Sequence, residues 1–391
     1  MRPLLCLAAA LVAAMLAPGD GAAAEDGAEG AHGRALRVVA SIKPLYSLVA
    51  GVMSGHGAPA LLIPGGVSPY TATVHANEAY LLAGADIVFW IGEPLEAGLR
   101  EPLVQFAGGA RVVELIRVDG LVRYKLRQGY WERGTARPGA EPLLVDSGPV
   151  AAGYRTAAVG DPAVASDAAA APIAPAPTRA APEDAADAAS DDDASEDAAP
   201  DDPAAEGEET GEDAALDLTD ADGHVWLDPL NAQLMVDRIV EVLSEADVDN
   251  APDYRRNGEI VKNRLKRLDA DMATMLTPAR GRPFLVLHDA YQYLEVRYSL
   301  AGAGSLRVAP DRPPDPDRLA AMRAKIEERH ARCVFGDPRV PSRITEQIVS
   351  GTAARAGELD PMGIGIPDGI DLYFMMMRRL ATSLKSCLAA G

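Results

Sequence analysis

At 391 residues the chain is long enough for two domains or more, so the size of its core sets no limit. Its formal net charge is −20, yet 18 acidic residues and no Lys or Arg lie between Glu183 and Asp222, which leaves the rest of the chain at only −2. Nucleic acid is excluded as a partner, because phosphate binding needs a basic face that this composition does not offer.

Residues 1–24 carry Arg2, an apolar run from Leu4 to Leu16, and Ala22, Ala23 and Ala24 ahead of Glu25, the layout of a secretory signal peptide. Export is expected. The run is too short to cross a bilayer, and no later segment reaches roughly 18 uninterrupted apolar residues, so no stable membrane insertion is expected. Of the three cysteines, Cys6 belongs to the signal. Cys333 and Cys387 remain, an even pair that reads as a disulfide in an exported chain, with two separate buried thiols as the alternative.

Over residues 36–119 the apolar runs RVVASI, PALLIP, GADIVFWIG and ARVVELI alternate with helical stretches, the pattern of a first α/β lobe with a parallel sheet under helices. The turn-rich stretch PGGVSPYTATVHANEAY follows the second run, with a helix starting near Asn77. Residues 120–219 turn rich in Ala, Pro, Asp and Glu and bury too little apolar surface to offset their ordering entropy, which predicts a disordered insertion. Order returns at DGHVWLDP, where Asp228 and Pro229 start a helix that closes the first lobe over 220–248. A long charged helix over 250–278, with Ile260, Val261, Leu265, Leu268 and Met272 on one face, is suited to link two lobes. Beyond it, PFLVLHDA, RCVFGDPR and AGELDPMG alternate with helices through a second α/β lobe over 281–391. Met375, Met376 and Met377 point in different directions on their helix and read as packing rather than a soft-metal site.

Six histidines occur. His32 follows the signal, and His56 and His330 read as solvated surface. His288 ends the strand PFLVLH, where open α/β sheets bind ligands. His224 lies in a loop entering a helix, and Asp360 follows the strand AGEL. Each of these three also has a structural reading, as a satisfied histidine, a loop hydrogen bond or a turn aspartate.

Taken together, VVASIKPLYSLVAGV, GADIVFWIG, DGHVWLDP, VLHDAYQYLE, CVFGDPR and GELDPMG, in this order over Val38 to Ile116 and Asp220 to Leu388, resemble the periplasmic zinc-binding components of ABC transporters, the solute-binding proteins of the ZnuA type. The resemblance implies two mainly parallel α/β lobes joined by a long rigid helix, with Zn2+ held between them as the transported ligand. It also implies a Cys333–Cys387 disulfide and a monomeric periplasmic receptor that hands its cation to an ABC permease. Carried over, the metal ligands fall on His224, His288 and Asp360. Manganese relatives place a glutamate where His288 stands, and nitrogen donors suit zinc better. The family's first histidine is missing, because GVSPY puts Tyr70 in its place. A phenol with a pKa of about 10 coordinates zinc only if the metal drives off its proton. Tyr70, water or His75, five residues on, is left to complete the shell. No HExxH pair is present, and Glu295 sits on the wrong part of its helix for a zinc hydrolase base, so no enzyme is expected. The competing readings are a divergent paralogue acting as a low-affinity metal buffer, metallochaperone or interaction protein, and a receptor for Mn2+ or another divalent cation.

Overall fold

The structure, a computed structural model, describes residues 34–127, 218–306 and 315–390. The signal peptide at 1–24, His32 and residues 128–217 of the expected insertion lie outside the described residues.

Four strands of the N-terminal half, β1 (Val38–Ala40), β2 (Ala60–Leu61), β3 (Ile87–Trp90) and β4 (Arg111–Glu114), form a sheet in the order β2-β1-β3-β4 with every pair parallel. A second sheet contains β5 (Phe284–Val286), β6 (Gly302–Ser305), β7 (Cys333–Gly336) and β8 (Arg355–Glu358) in the order β6-β5-β7-β8, again all parallel. β1, β3, β5 and β7 are buried along their length, as continuous apolar runs must be when helices cover both faces of a parallel sheet. The sequence gives no apolar run for β6, whose residues are GAGS. Its backbone fits because Gly302 lacks a side chain, since a Cβ there would sit 2.4 Å from the Glu295 carboxylate.

Among the described residues, two α-helices come between the sheets in chain order. Pro229–Ala246 is capped by Asp228, whose carboxylate accepts a hydrogen bond from the Leu230 N–H at 2.8 Å. Ala251–Leu276 has 26 residues, a length of about 39 Å at 1.5 Å per residue. It buries Val261, Leu265, Leu268 and Met272. Ile260 was expected on the same face but is 52% exposed, because one step back from Val261 turns about 100° around the helix. This long helix packs on Lys43–Val52 of the first half and on Leu372–Leu388 of the second, and one hydrophobic core runs through all three. Met376 and Met377 lie in that core while Met375 is 40% exposed.

Residues 121–127 correct the expectation of disorder from 120 onward. Lys125 and Ala221 form an antiparallel bridge, flanked by hydrogen bonds from Leu126 N–H to Asp220 O and from Asp222 N–H to Tyr124 O, both 2.7 Å. Leu121, Val122 and Tyr124 are buried, which is the apolar burial that the Ala- and Asp-rich text beyond them lacks. Arg123 is buried as well and donates to the carbonyls of Ile116 and Val118. Cys333 and Cys387 are disulfide-bonded with Cα atoms 6.2 Å apart, joining the start of β7 to the last turn of the C-terminal helix.

Candidate metal centre

The carboxyl ends of the second sheet bring polar residues from three strands to one edge. His288 stands two residues beyond β5, Asp337 directly follows β7, and Asp360 stands two residues beyond β8. From the first half, Tyr70 lies in a short 3-10 turn, Pro69–Thr71, after β2. His224 precedes the turn Val225–Leu227 that feeds the Asp228-capped helix. Three of these rings meet: the His224 and His288 centroids are 5.2 Å apart, and Tyr70 lies 6.0 Å from His224 and 5.9 Å from His288.

His224 is buried and fixed by Asp222, whose Oδ1 accepts from the His224 backbone N–H at 3.0 Å and from its Nδ1 at 2.7 Å. The turn needs Gly223 between them, because a Cβ there would lie 2.7 Å from Leu95 Cβ. With the ring proton held on Nδ1, Nε2 keeps its lone pair, the carboxylate-backed arrangement that orients metal-binding imidazoles. That lone pair receives the Tyr70 hydroxyl at 3.2 Å. Tyr70 is 39% exposed overall, but burial of its hydroxyl end pushes the phenol far above its ordinary value, and Asp222 adds to the shift. Tyr70 is therefore a hydrogen-bond donor at neutral pH.

Burial lowers the His288 pKa below its ordinary value, His224 and Arg339 push the same way, and Asp337 opposes them. The ring is neutral at pH 7. Its Nδ1 is 3.3 Å from the Arg339 guanidinium and 3.5 Å from Asp337 Oδ2. Burial acts to raise Asp337, but its hydrogen bonds with Arg339, at 2.6 and 2.8 Å, and with His288 hold the carboxyl well below the usual carboxylate range.

Asp360 accepts a hydrogen bond from the Met362 N–H at 3.1 Å. Among the described residues, no three or more His, Cys, Asp or Glu side chains gather closely enough to hold a metal ion. The Asp360 turn is nevertheless tied to the His224 turn, because Trp226 Nε1 donates to Pro361 O at 3.0 Å and the Tyr373 hydroxyl donates to Trp226 O at 2.7 Å. Across the same region the Tyr293 hydroxyl donates to Asp222 O at 2.8 Å, and Arg127 pairs with Asp289 and Glu295.

His75 is exposed and stands at the N-terminus of the helix Ala76–Gly84, one step earlier than the start expected near Asn77. Its ring contacts Thr73 Oγ1 at 3.2 Å and its backbone N–H donates to Glu78. His56, read as solvated surface, instead contacts Asp253 at 2.8 Å and packs edge-on against Tyr254. Sequence reasoning missed Asp222, Asp337 and Arg339. The signal was a carboxylate two residues before His224 in DGH, and an Asp-Pro-Arg run at the carboxyl end of a strand.

Two imidazoles, His224 and His288, therefore meet here, and imidazole nitrogens suit Zn2+ better than hard cations. The family model described as zinc-uptake complex component A, periplasmic (ZnuA), matches residues 38–387. High-affinity zinc uptake system protein ZnuA of Brucella suis biovar 1 is 36% identical over 352 residues, covering 90% of this chain and 91% of that one. The protein of the same name from Haemophilus influenzae is 32% identical over 352 residues, covering 90% and 93%. A crystal structure of ZnuA aligns with a TM-score of 0.60 over 91% of this chain and 100% of the other, and at 16% identity it speaks for the fold alone. The chain belongs to the ZnuA family of periplasmic zinc-uptake components.

Proposed function

We propose that this chain is the receptor of a zinc-uptake system, a non-enzyme that captures Zn2+ in the periplasm between its two α/β lobes and presents it to an ABC permease. The relatives from Brucella suis and Haemophilus influenzae carry the name of a high-affinity zinc uptake protein, and a structural neighbour is the Zn(II)-bound ZnuA-like domain of Streptococcus pneumoniae AdcA (TM-score 0.58, 16% identity, 91% of this chain and 99% of that one). The observation that carries the reading is the meeting of His224 and His288, from different halves of the chain, at 5.2 Å between ring centroids. In this reading both Nε2 atoms bind the cation, and Asp360 completes the set by releasing the Met362 N–H. Tyr70 then either stays as a weak oxygen ligand or withdraws. Asp222 keeps His224 oriented throughout. Hydrogen bonds between the lobes and the long helix that both share favour local rearrangement over a wide hinge opening.

A competition titration against a tight fluorescent zinc chelator tests the assignment. The intact protein is expected to bind with sub-micromolar affinity, with collapse of binding in His224→Ala and His288→Ala, a marked loss in Asp360→Ala and no change in His75→Ala. Absence of binding by the intact protein, or a His288→Ala variant that binds like it, would remove the assignment.

A further inference from the structure

We infer that Lys43 is a positioning residue for zinc capture: its ammonium, reaching across from the first lobe, pins the loop that follows Asp360 and so sets where that carboxylate stands. The inference rests on the proposed reading of Asp360 as a ligand, and it names what keeps that ligand in reach of the two imidazoles.

Lys43 opens the helix Lys43–Val52, which has no acidic residue in its first turn. A cation at this end faces the positive pole of the helix and is locally unfavourable. The side chain is also only 7% exposed, and a lysine is seldom buried so far without a partner. Compensation comes from the opposite end of the sequence. Nζ donates to Ile366 O at 2.7 Å and stands 2.8 Å from Asp368 Oδ1. Local preference is thus overridden in favour of a contact between the lobes, the kind of conflict expected at functional positions.

The contact falls on the loop that leaves Asp360. Gly363, at φ +67°, and Gly369, at φ +152°, bracket the residues that Lys43 holds, and these glycine-favouring conformations make both ends of the segment 364–368 pivots. Between them Ile366 is buried, so the segment is seated. Closer to Asp360, Pro361 O accepts from Trp226 Nε1 at 3.0 Å, two residues from His224. The first lobe therefore holds this loop twice, once beside a candidate ligand and once through Lys43. The stretch that carries Tyr70 closes over the same lysine, because a Cβ on Gly65 would stand 3.0 Å from Lys43 Cδ and 3.7 Å from Ile364 O. Asp360 accepts from the Met362 N–H at 3.1 Å, and to bind a cation it must turn toward the imidazoles. A zinc–carboxylate bond of about 2.0–2.2 Å leaves its backbone little latitude. With Lys43 in place only the side chain has to turn. Without it the segment swings about its glycines and the carboxylate spends part of its time out of reach. The ammonium is also a positive charge, which by itself disfavours a cation nearby. Removing it would tighten capture on charge alone, so weaker capture has to come from the loop.

Competition titration of the full chain with zinc, in Lys43→Met, Asp360→Ala and the double variant, separates positioning from general support of the fold. Methionine keeps an unbranched stem and gives up the donors. The dissociation constant is expected to rise roughly tenfold in Lys43→Met, the lower end of what loss of an outer support of a metal ligand costs. In the double variant it should be no higher than in Asp360→Ala alone. An unchanged value in Lys43→Met overturns the inference, and so does an equal fold-loss with and without the Asp360 carboxylate, which would mark a general loosening. If Lys43→Met does not fold, Asp368→Ala loosens the same contact at a side chain that is 45% exposed. It should weaken binding in the native background and not in Asp360→Ala, and native-like binding in the former overturns the inference. The reading of Asp360 as a ligand fails by a different result, an Asp360→Ala variant that binds like the native protein, and the inference about Lys43 then falls with it.

Discussion

Tyr70 stands where the family resemblance expects an imidazole, and its hydroxyl rests on the Nε2 of His224. A phenol pushed far above its ordinary pKa gives up its proton reluctantly, so it fits a removable plug better than a permanent ligand. Tyr70→Phe is accordingly expected to bind zinc at least as tightly as the native protein in the competition titration, and Tyr70→His more tightly. Weaker binding by Tyr70→Phe would make the phenol a ligand instead. A buried carboxyl contributes to the pH response of the first lobe. Glu96 is fully buried, with Oε2 accepting from the Ile91 and Gly92 N–H groups, and burial pushes its carboxyl up to about 7, with Glu114 adding to the shift. A folded-state pKa above the unfolded one means that the folded chain holds the proton longer. The stability this gives is complete below about pH 4.5 and is lost as pH rises through about 7. Its size is on the order of 3 kcal/mol. Glu96→Gln should flatten the decline in urea midpoint between pH 5 and pH 8, and a variant with an unchanged slope would assign the effect elsewhere. His224, His288 and Asp360 were legible in the text as candidates because motif neighbours mark them, and of these the structure brings the two imidazoles together. The contacts of Asp222, Asp337 and Arg339 were not, since they depend on which strand ends lie side by side.

Elements were legible where side chains carried the pattern. Apolar runs gave β1, β3, β5 and β7, and the Asp228-Pro229 start gave a helix. β6 escaped because its fit depends on missing atoms rather than on present ones. Gly302→Ala would drive a methyl group into the buried Glu295 carboxylate, and overpacking of this kind costs about 1–3 kcal/mol. Thermal unfolding of that variant should show a clear loss, whereas an unchanged midpoint would mean that Glu295 can move aside. The run 121–127 was obscured for another reason. Its short alternation of buried Leu121, Val122 and Tyr124 with charged residues leads straight into a low-complexity segment whose composition dominates any window that spans both.

Across the whole molecule, the bridge between Lys125 and Ala221 brings the two borders of the segment 128–217 together. Replacing that segment with a short Gly/Ser turn should leave the two sheets and the zinc dissociation constant nearly unchanged, since chain ends already held adjacent tolerate large changes in loop length. Circular dichroism and the chelator titration check this, and a large drop in affinity would give the acidic segment a direct part in capture. The overall architecture was readable from alternating apolar runs and from the family motifs. The bonds across the centre, from Trp226 to Pro361 and from Tyr293 to Asp222, were not, because they join residues remote in the chain through backbone carbonyls that leave no mark in sequence. The Cys333–Cys387 bridge enters β7 at its first residue, whereas Asp337 leaves from its far end. Covalent bracing and the candidate metal-binding edge thus occupy opposite poles of a single sheet, so reducing the bridge is expected to lower the unfolding midpoint while leaving the zinc dissociation constant nearly unchanged.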